Sequence, residues 1–252
     1  MIEITQLLKT YNSRVIIDNL DLKIEKGGIT SIIGPNGAGK STLLMMISRL
    51  LKADNGLILL DGMDIKSTSS EILARRVSIL RQENNIAARL TVHDLVAFGR
   101  YPYSKGRTTK EDKRKISQAI EYLDLNDLQD SFIDELSGGQ RQRAFVAMVI
   151  CQDTDYVLLD EPLNNFDMKN SVAMMKLLRR TATELKKTIV LVIHDINFAS
   201  CYSDKLIAIR NGKIVSFGKP EEIMVPDVLK EIYDLDIKVT EFDGQKIAVY
   251  YS

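Results

Sequence analysis

The sequence predicts an α/β fold: a mixed sheet flanked by helices, with an antiparallel β part at the N-terminus and a helical subdomain inserted in the middle. Three observations carry this. Apolar runs of strand length alternate with helical stretches up to residue 82 and again from 154 onward. One run, 29–33, feeds a glycine-rich loop at 34–42 that opens straight into a helical segment. Between 83 and 153 no run reads convincingly as a strand. The expectation is a single domain over 1–252, with a core from 1–82 and 154–252 and the helical subdomain at 83–153. At 252 residues the chain can bury a full core.

The elements follow in order. Residues 2–24 are strand-like around a turn at Asn12 and Ser13, with Leu20, Leu22 and Ile24 alternating. Lys26, Gly27 and Gly28 turn the chain into strand 29–33, and a helix follows over 41–51. A strand at 56–60 closes at Asp61 and Gly62, a helix covers 69–76, and a strand covers 77–80. Periodicity predicts helices over 91–98, 109–125 and 140–151. Beyond them come a strand at 157–159, a helix at 168–185 and a strand at 189–193. A hairpin of 206–210 and 213–217 turns at Asn211 and Gly212. A helix at 226–233 and a small strand pair, 237–240 with 247–250, end the pattern.

Bulk properties exclude several classes. Thirty-four basic residues balance thirty-four acidic ones, which disfavours a nucleic-acid partner. No charged-then-apolar leader is read at the N-terminus. The longest apolar run, 144–151, is eight residues, far short of a membrane span. Cys151 and Cys201 stand alone and read as buried thiols in a reducing compartment.

The loop Gly34-Pro35-Asn36-Gly37-Ala38-Gly39-Lys40-Ser41-Thr42 matches G-x-x-x-x-G-K-[ST], the phosphate-binding loop, and predicts a P-loop NTPase core. Its glycines let successive N–H groups turn inward around a polyphosphate, and the following helix N-terminus favours the same anion. Lys40 suits the terminal phosphates, and the Ser41 hydroxyl can ligate Mg²⁺. ATP and Mg²⁺ are the expected cofactors. Other apolar strands carry chemistry at the same end, where open parallel sheets bind ligands. Strand 77–80 ends near Gln82, strand 157–159 at Asp160 and Glu161, and strand 189–193 at His194. Asp160 would hold Mg²⁺, and Glu161 would orient or deprotonate an attacking water. Pro162 biases Glu161 towards an extended backbone. His194 could reach the γ-phosphate, although an isolated histidine is more often structural.

Leu136-Ser137-Gly138-Gly139-Gln140 offers a second glycine-rich helix start. One nucleotide does not need two distant cradles, so a head-to-tail dimer, each copy completing the other's site with Ser137, Gly138, Gly139 and Gln140, is the economical solution.

At this point the chain resembles the ATP-binding subunits of ABC transporters over nearly its whole length. L-S-G-G-Q at 136–140 looks like the family signature. The resemblance makes Gln82 a magnesium and water contact, Asp160 and Glu161 the magnesium acid and catalytic glutamate, and His194 the switch histidine. Tyr11 would stack on adenine. Asn164-Asn165-Phe166-Asp167 falls at the dimer-contacting loop, where the family usually has leucine in place of Phe166.

The L-T-V-x-D-L-V stretch at 90–96 and Gly99-Arg100-Tyr101-Pro102-Tyr103 are similar to ferric-siderophore importer ATPases, a branch shared with vitamin B12 importers. The resemblance implies a peripheral ATPase on the cytoplasmic face of the membrane, working with separate permease subunits and, indirectly, a substrate-binding protein. The segment after Gln82 would offer the permease a groove, while Leu95, Val96, Phe98 and the tyrosines could equally pack the helical subdomain. The basic run 105–115 reads mainly as a solvated helix face. Another import substrate (vitamin B12, haem or a metal), or a soluble ATP-dependent switch, is the alternative.

Overall fold

The computed structural model describes every residue of 1–252 except Glu83, Asn85, Ala87, Asn165 and Ser252. Glu83, the expected opening of the helical subdomain, Asn165 of the 164–167 stretch and the terminal Ser252 therefore lie outside the described residues.

The N-terminal antiparallel part is a hairpin of β1 (Ile2–Tyr11) and β2 (Arg14–Ile24). It turns on Asn12 and Ser13, both with positive φ (46° and 67°), as a two-residue hairpin turn requires. β3 (Gly28–Ile33) leads through the phosphate loop into α1 (Lys40–Ile47). β4 (Asn55–Leu60) and the short β5 (Met63–Asp64) pair antiparallel, completing a four-stranded sheet in the order β2-β1-β4-β5. α2 (Ser70–Ala74) and β6 (Val77–Leu80) follow.

Among the described residues, no strand lies between β6 and the next strand of the core. That interval holds α3 (Val92–Phe98), α4 (Tyr101–Ser104), α5 (Lys110–Tyr122) and α6 (Gly138–Cys151). α3, α5 and α6 each start at a capping box, Thr91 with Asp94, Thr109 with Asp112 and Ser137 with Gln140, which satisfies the free N–H groups of the first turn. In α5, Ile116, Ala119 and Ile120 face inward at helical spacing while its basic residues face out.

The core then resumes with β7 (Tyr156–Asp160), α7 (Met168–Glu184), β8 (Thr188–Val192), α8 (Ile196–Tyr202), β9 (Lys205–Arg210) and β10 (Lys213–Gly218). α9 (Pro220–Ile223), α10 (Pro226–Tyr233) and the hairpin β11 (Lys238–Phe242) with β12 (Gln245–Val249) complete the chain. The main sheet runs β10-β9-β3-β8-β7-β6, parallel except for β10 at its edge. The sequence signals did not mark β5, α4, α8 or α9. All are seven residues or fewer, too short for a periodic pattern.

Two cores hold the layers, and alternation along the parallel strands builds both. Ile189 and Leu191 of β8, with Val157 and Leu159 of β7, face α6, α7 and α8. Val190 and Val192, with Leu158 and Ile207, face α1 and the antiparallel sheet. Strands covered on both faces are predominantly apolar, with Thr30, Ser31 and Ser78 among the buried polar exceptions. Both faces being buried leaves the strand ends as the place for polar chemistry.

Arg100 is buried: its Nε donates to Asp112 Oδ1 at 2.9 Å, its Nη1 donates to the Cys151 carbonyl at 3.0 Å, and its guanidinium lies 3.9 Å from the Tyr103 ring centre. This residue of the G-R-Y-P-Y stretch therefore ties α5 and α6 together and is closed to any partner. Leu95 and Val96 also pack inward, as the packing reading expects, whereas Phe98 and Tyr101 stand exposed at 52% and 61%. Cys151 is buried, but Cys201 is only half-buried.

Candidate functional site

The carboxyl ends of the strands and the tip of the β1–β2 hairpin meet around one cleft of about 620 Å³. Its lining takes in Tyr11, residues 36–42, Gln82, Glu161 and His194. Connections between β3 and α1 and after β6, β7 and β8 converge there because these strands run parallel and neighbour one another.

The phosphate loop is fixed from behind. Gly34 has φ 138°, and a Cβ there would collide with the Ile209 carbonyl of β9. Gly39, with φ 105°, caps α1, and a Cβ on it would stand 2.8 Å from the Ile16 carbonyl of β2. Only glycine fits two such close backbone approaches. Lys40 is buried, and its ammonium donates to the carbonyls of Gly34 (2.8 Å) and Pro35 (2.9 Å). Gly34 and Pro35, expected to touch nucleotide, are thus the rear wall of the loop and do not line the cleft. Burial lowers the Lys40 pKa, against the opposing pull of Glu161 and Asp160.

At the end of the loop, Ser41 Oγ donates to Asp160 Oδ1 at 2.8 Å. Burial pushes the Asp160 carboxyl above its ordinary pKa; the Ser41 bond opposes this and the nearby Glu161 charge adds to it. Such a carboxylate gains from a cation arriving beside it. Glu161 accepts on both oxygens. Gln82 Nε2 (2.8 Å) and Asn164 Nδ2 (2.7 Å) donate to Oε2, and His194 Nε2 lies against Oε1. Burial works to raise its pKa, but the bonds from Asn164 and His194, with the charges of His194 and Lys40, outweigh it and hold the carboxyl below its ordinary value.

Glu161 is not extended, as Pro162 suggested. Its φ is 51°, and its N–H donates to the Val192 carbonyl at 3.1 Å. The left-handed turn ends β7 abruptly and swings the carboxylate over the cleft. A non-glycine residue in that conformation costs of order 1 kcal/mol or more, and such outliers cluster at functional sites.

Ser137, Gly138, Gly139 and Gln140 do not line this cleft. Ser137 and Gln140 close the capping box of α6, with Gln140 N to Ser137 Oγ at 3.3 Å and Ser137 N to Gln140 Oε1 at 3.0 Å. Phe166, placed by sequence at a contact between copies, packs within its own chain: its ring lies 3.3 Å from where a Gly139 Cβ would stand. Three participants escaped the sequence reading. Asn164 was placed only by its stretch, although its spacing of three from Glu161 is that of a turn. Arg14 and Ile16 also line the cleft, and the pairing of Arg14 with Tyr11 across a two-residue turn was the available signal.

Comparison with known proteins fits this geometry. The sequence profile described as "ABC transporter" matches residues 17–164, more than half of the chain. The chain belongs to the ABC transporter family. This ABC protein is 57% identical over 252 residues, covering 100% of both chains, to the Petrobactin import ATP-binding protein YclP of Bacillus subtilis (strain 168). It is 54% identical over 250 residues to the Petrobactin import ATP-binding protein FatE of Bacillus anthracis, covering 99% of this chain and 100% of the relative. The dimeric ATP-binding cassette MJ0796, solved in a post-hydrolysis state bound to ADP and Pi, superposes with a TM-score of 0.78 at 27% identity, covering 87% of this chain and 99% of that one. As an ABC ATPase the chain binds and hydrolyses ATP. No helix among the described residues is long and apolar enough to cross a membrane.

Proposed function

We propose that the chain is the ATP-hydrolysing subunit of an importer that takes up a ferric siderophore of the petrobactin kind through a separate membrane permease. The observation that carries the substrate is the 57% identity, end to end, with a petrobactin import ATPase. Two copies would meet head to tail, the phosphate loop of one facing Ser137–Gln140 of the other, at the cytoplasmic face of the membrane. Residues 83–153 would form the permease-facing subdomain, offering the exposed Phe98 and Tyr101. A substrate-binding protein would deliver the chelate.

Within each site Tyr11 would carry the adenine, residues 36–42 the phosphates, and Glu161 would take a proton from water as it attacks the γ-phosphate. His194 and Gln82 hold that carboxylate from two sides and would register the γ-phosphate. The donor set suits Mg²⁺, which prefers one or two protein oxygens plus substrate phosphates: Ser41 Oγ and Asp160 Oδ1 stand 2.8 Å apart, and Gln82 lines the same cleft as Ser41. When bound, Mg²⁺ would neutralise charge on the β- and γ-phosphates.

The test is ATPase activity of the subunit reconstituted with its permease in nanodiscs. A binding protein loaded with ferric petrobactin should stimulate it, and vitamin B12 with its own binding protein should not. Hydrolysis indifferent to every ferric chelate would remove the siderophore assignment and leave the ATPase.

A further inference from the structure

We propose that Arg14 is a nucleotide-binding residue that contacts the α-phosphate end of the polyphosphate, an inference that rests on the nucleotide reading of the cleft. Its position is set by the hairpin. Tyr11 and Arg14 are the last paired residues of β1 and β2 before the Asn12–Ser13 turn. Side chains directly opposite on an antiparallel pair share a face, about 5 Å apart. Arg14 and Ile16, alternate residues of β2, line the cleft together with Tyr11, while Val15 between them is not part of its lining.

The distance to the phosphate loop follows from the same strand. The Ile16 carbonyl abuts Gly39, as the 2.8 Å approach of a Cβ there demonstrates. Two residues of β-strand span about 7 Å, within the reach of an extended arginine side chain. Arg14 thus sits between Tyr11 on one side and the Gly39–Lys40 turn on the other. With the base on Tyr11 and the terminal phosphates at Lys40 and Ser41, the group that falls opposite Arg14 is the α-phosphate.

Charge points the same way. Neighbouring cations of these strands are matched by acids: Lys9 pairs with Asp54 at 2.8 Å and Lys23 with Glu3 at 3.4 Å. Among the described residues Arg14 has no ion pair and no side-chain hydrogen bond. A planar guanidinium meets a phosphate through two parallel N–H donors, a charge-assisted arrangement stronger than a neutral bond. In an exposed hairpin, nothing else gives this residue work.

The experiment is equilibrium binding by calorimetry of ATP, ADP, AMP and adenosine to the full-length chain, for the wild type, Arg14→Ala and Arg14→Lys. Thermal melts confirm that the variants are folded. Arg14→Ala should weaken ATP, ADP and AMP by a similar factor, about five- to tenfold, and leave adenosine unaffected. Arg14→Lys should recover part of the loss, because a point charge replaces the fork, and the salt dependence of ATP binding should flatten in Arg14→Ala. Unchanged ATP affinity in a folded Arg14→Ala would overturn the inference. An equal loss for adenosine would assign Arg14 to the base instead, and a loss confined to ATP would assign it to the γ-phosphate; either overturns the α-phosphate contact. A wild-type chain that binds no nucleotide would instead strike the reading of the cleft itself.

Discussion

Replacing Glu161 with glutamine separates chemistry from architecture at this site. The carboxylate accepts from Gln82 and Asn164 on Oε2 and faces His194 with Oε1. Its side chain is only 10% exposed, so each of these groups must find a partner in the variant. A glutamine carbonyl in the Oε2 position keeps both amide donors satisfied. Its NH₂ then points at His194 Nε2, which can accept once the ring proton sits on Nδ1. The cleft is rebuilt at the same volume, and ATP binding should stay within about twofold of wild type. What disappears is the proton acceptor. A positioned general base contributes about 10²–10⁴-fold, equivalent to about 2.7–5.5 kcal/mol in the barrier. Single-turnover hydrolysis on the permease-bound complex should slow by that factor, with the ATP-bound dimer accumulating closed. A rate within about threefold of wild type would show that Glu161 is not the base. Lost ATP binding would show that its charge is a structural strut.

Two further perturbations follow from the same contacts. Asn164→Ala removes a donor that favours ionised Glu161, so the Glu161 pKa rises. Activity needs the carboxylate, and the acid limb of the kcat–pH profile should therefore move to higher pH; an unmoved limb would exclude the coupling. Asp112→Asn leaves the Arg100 guanidinium unpaired where the two side chains are 6% and 3% exposed. Breaking such a buried pair costs about 3–5 kcal/mol, a fall in Tm of about 10 °C for a chain of this size. A calorimetric shift under about 2 °C would mean that the pair contributes little.

Local chemistry is what the sequence determined by itself. The phosphate loop at 34–42, the strand ends at Gln82, Asp160 and His194, the helix start at Ser137 and the hairpin turns at Asn12 and Asn211 were all legible. Each depends on residues adjacent in the chain, whose backbone preferences and spacing are fixed before any long-range contact forms. Parallel strands read as mostly apolar runs because both of their faces are covered.

Tertiary structure decided what each of those residues touches. Nothing local to the 99–103 stretch showed that Arg100 is buried; Asp112 and the Cys151 carbonyl, 12 and 51 positions away, bury it. Phe166 lies against Gly139 because α7 starts beside the N-terminus of α6, a packing that no local pattern encodes. Glu161 was expected to be extended because of Pro162, yet the Val192 carbonyl of β8 holds its N–H and the backbone turns left-handed. Arg14 joined the cleft through its partner across the hairpin and the approach of Ile16 to Gly39. Burial and pairing depend on which distant segments meet, and so does the pKa of every carboxylate in this site.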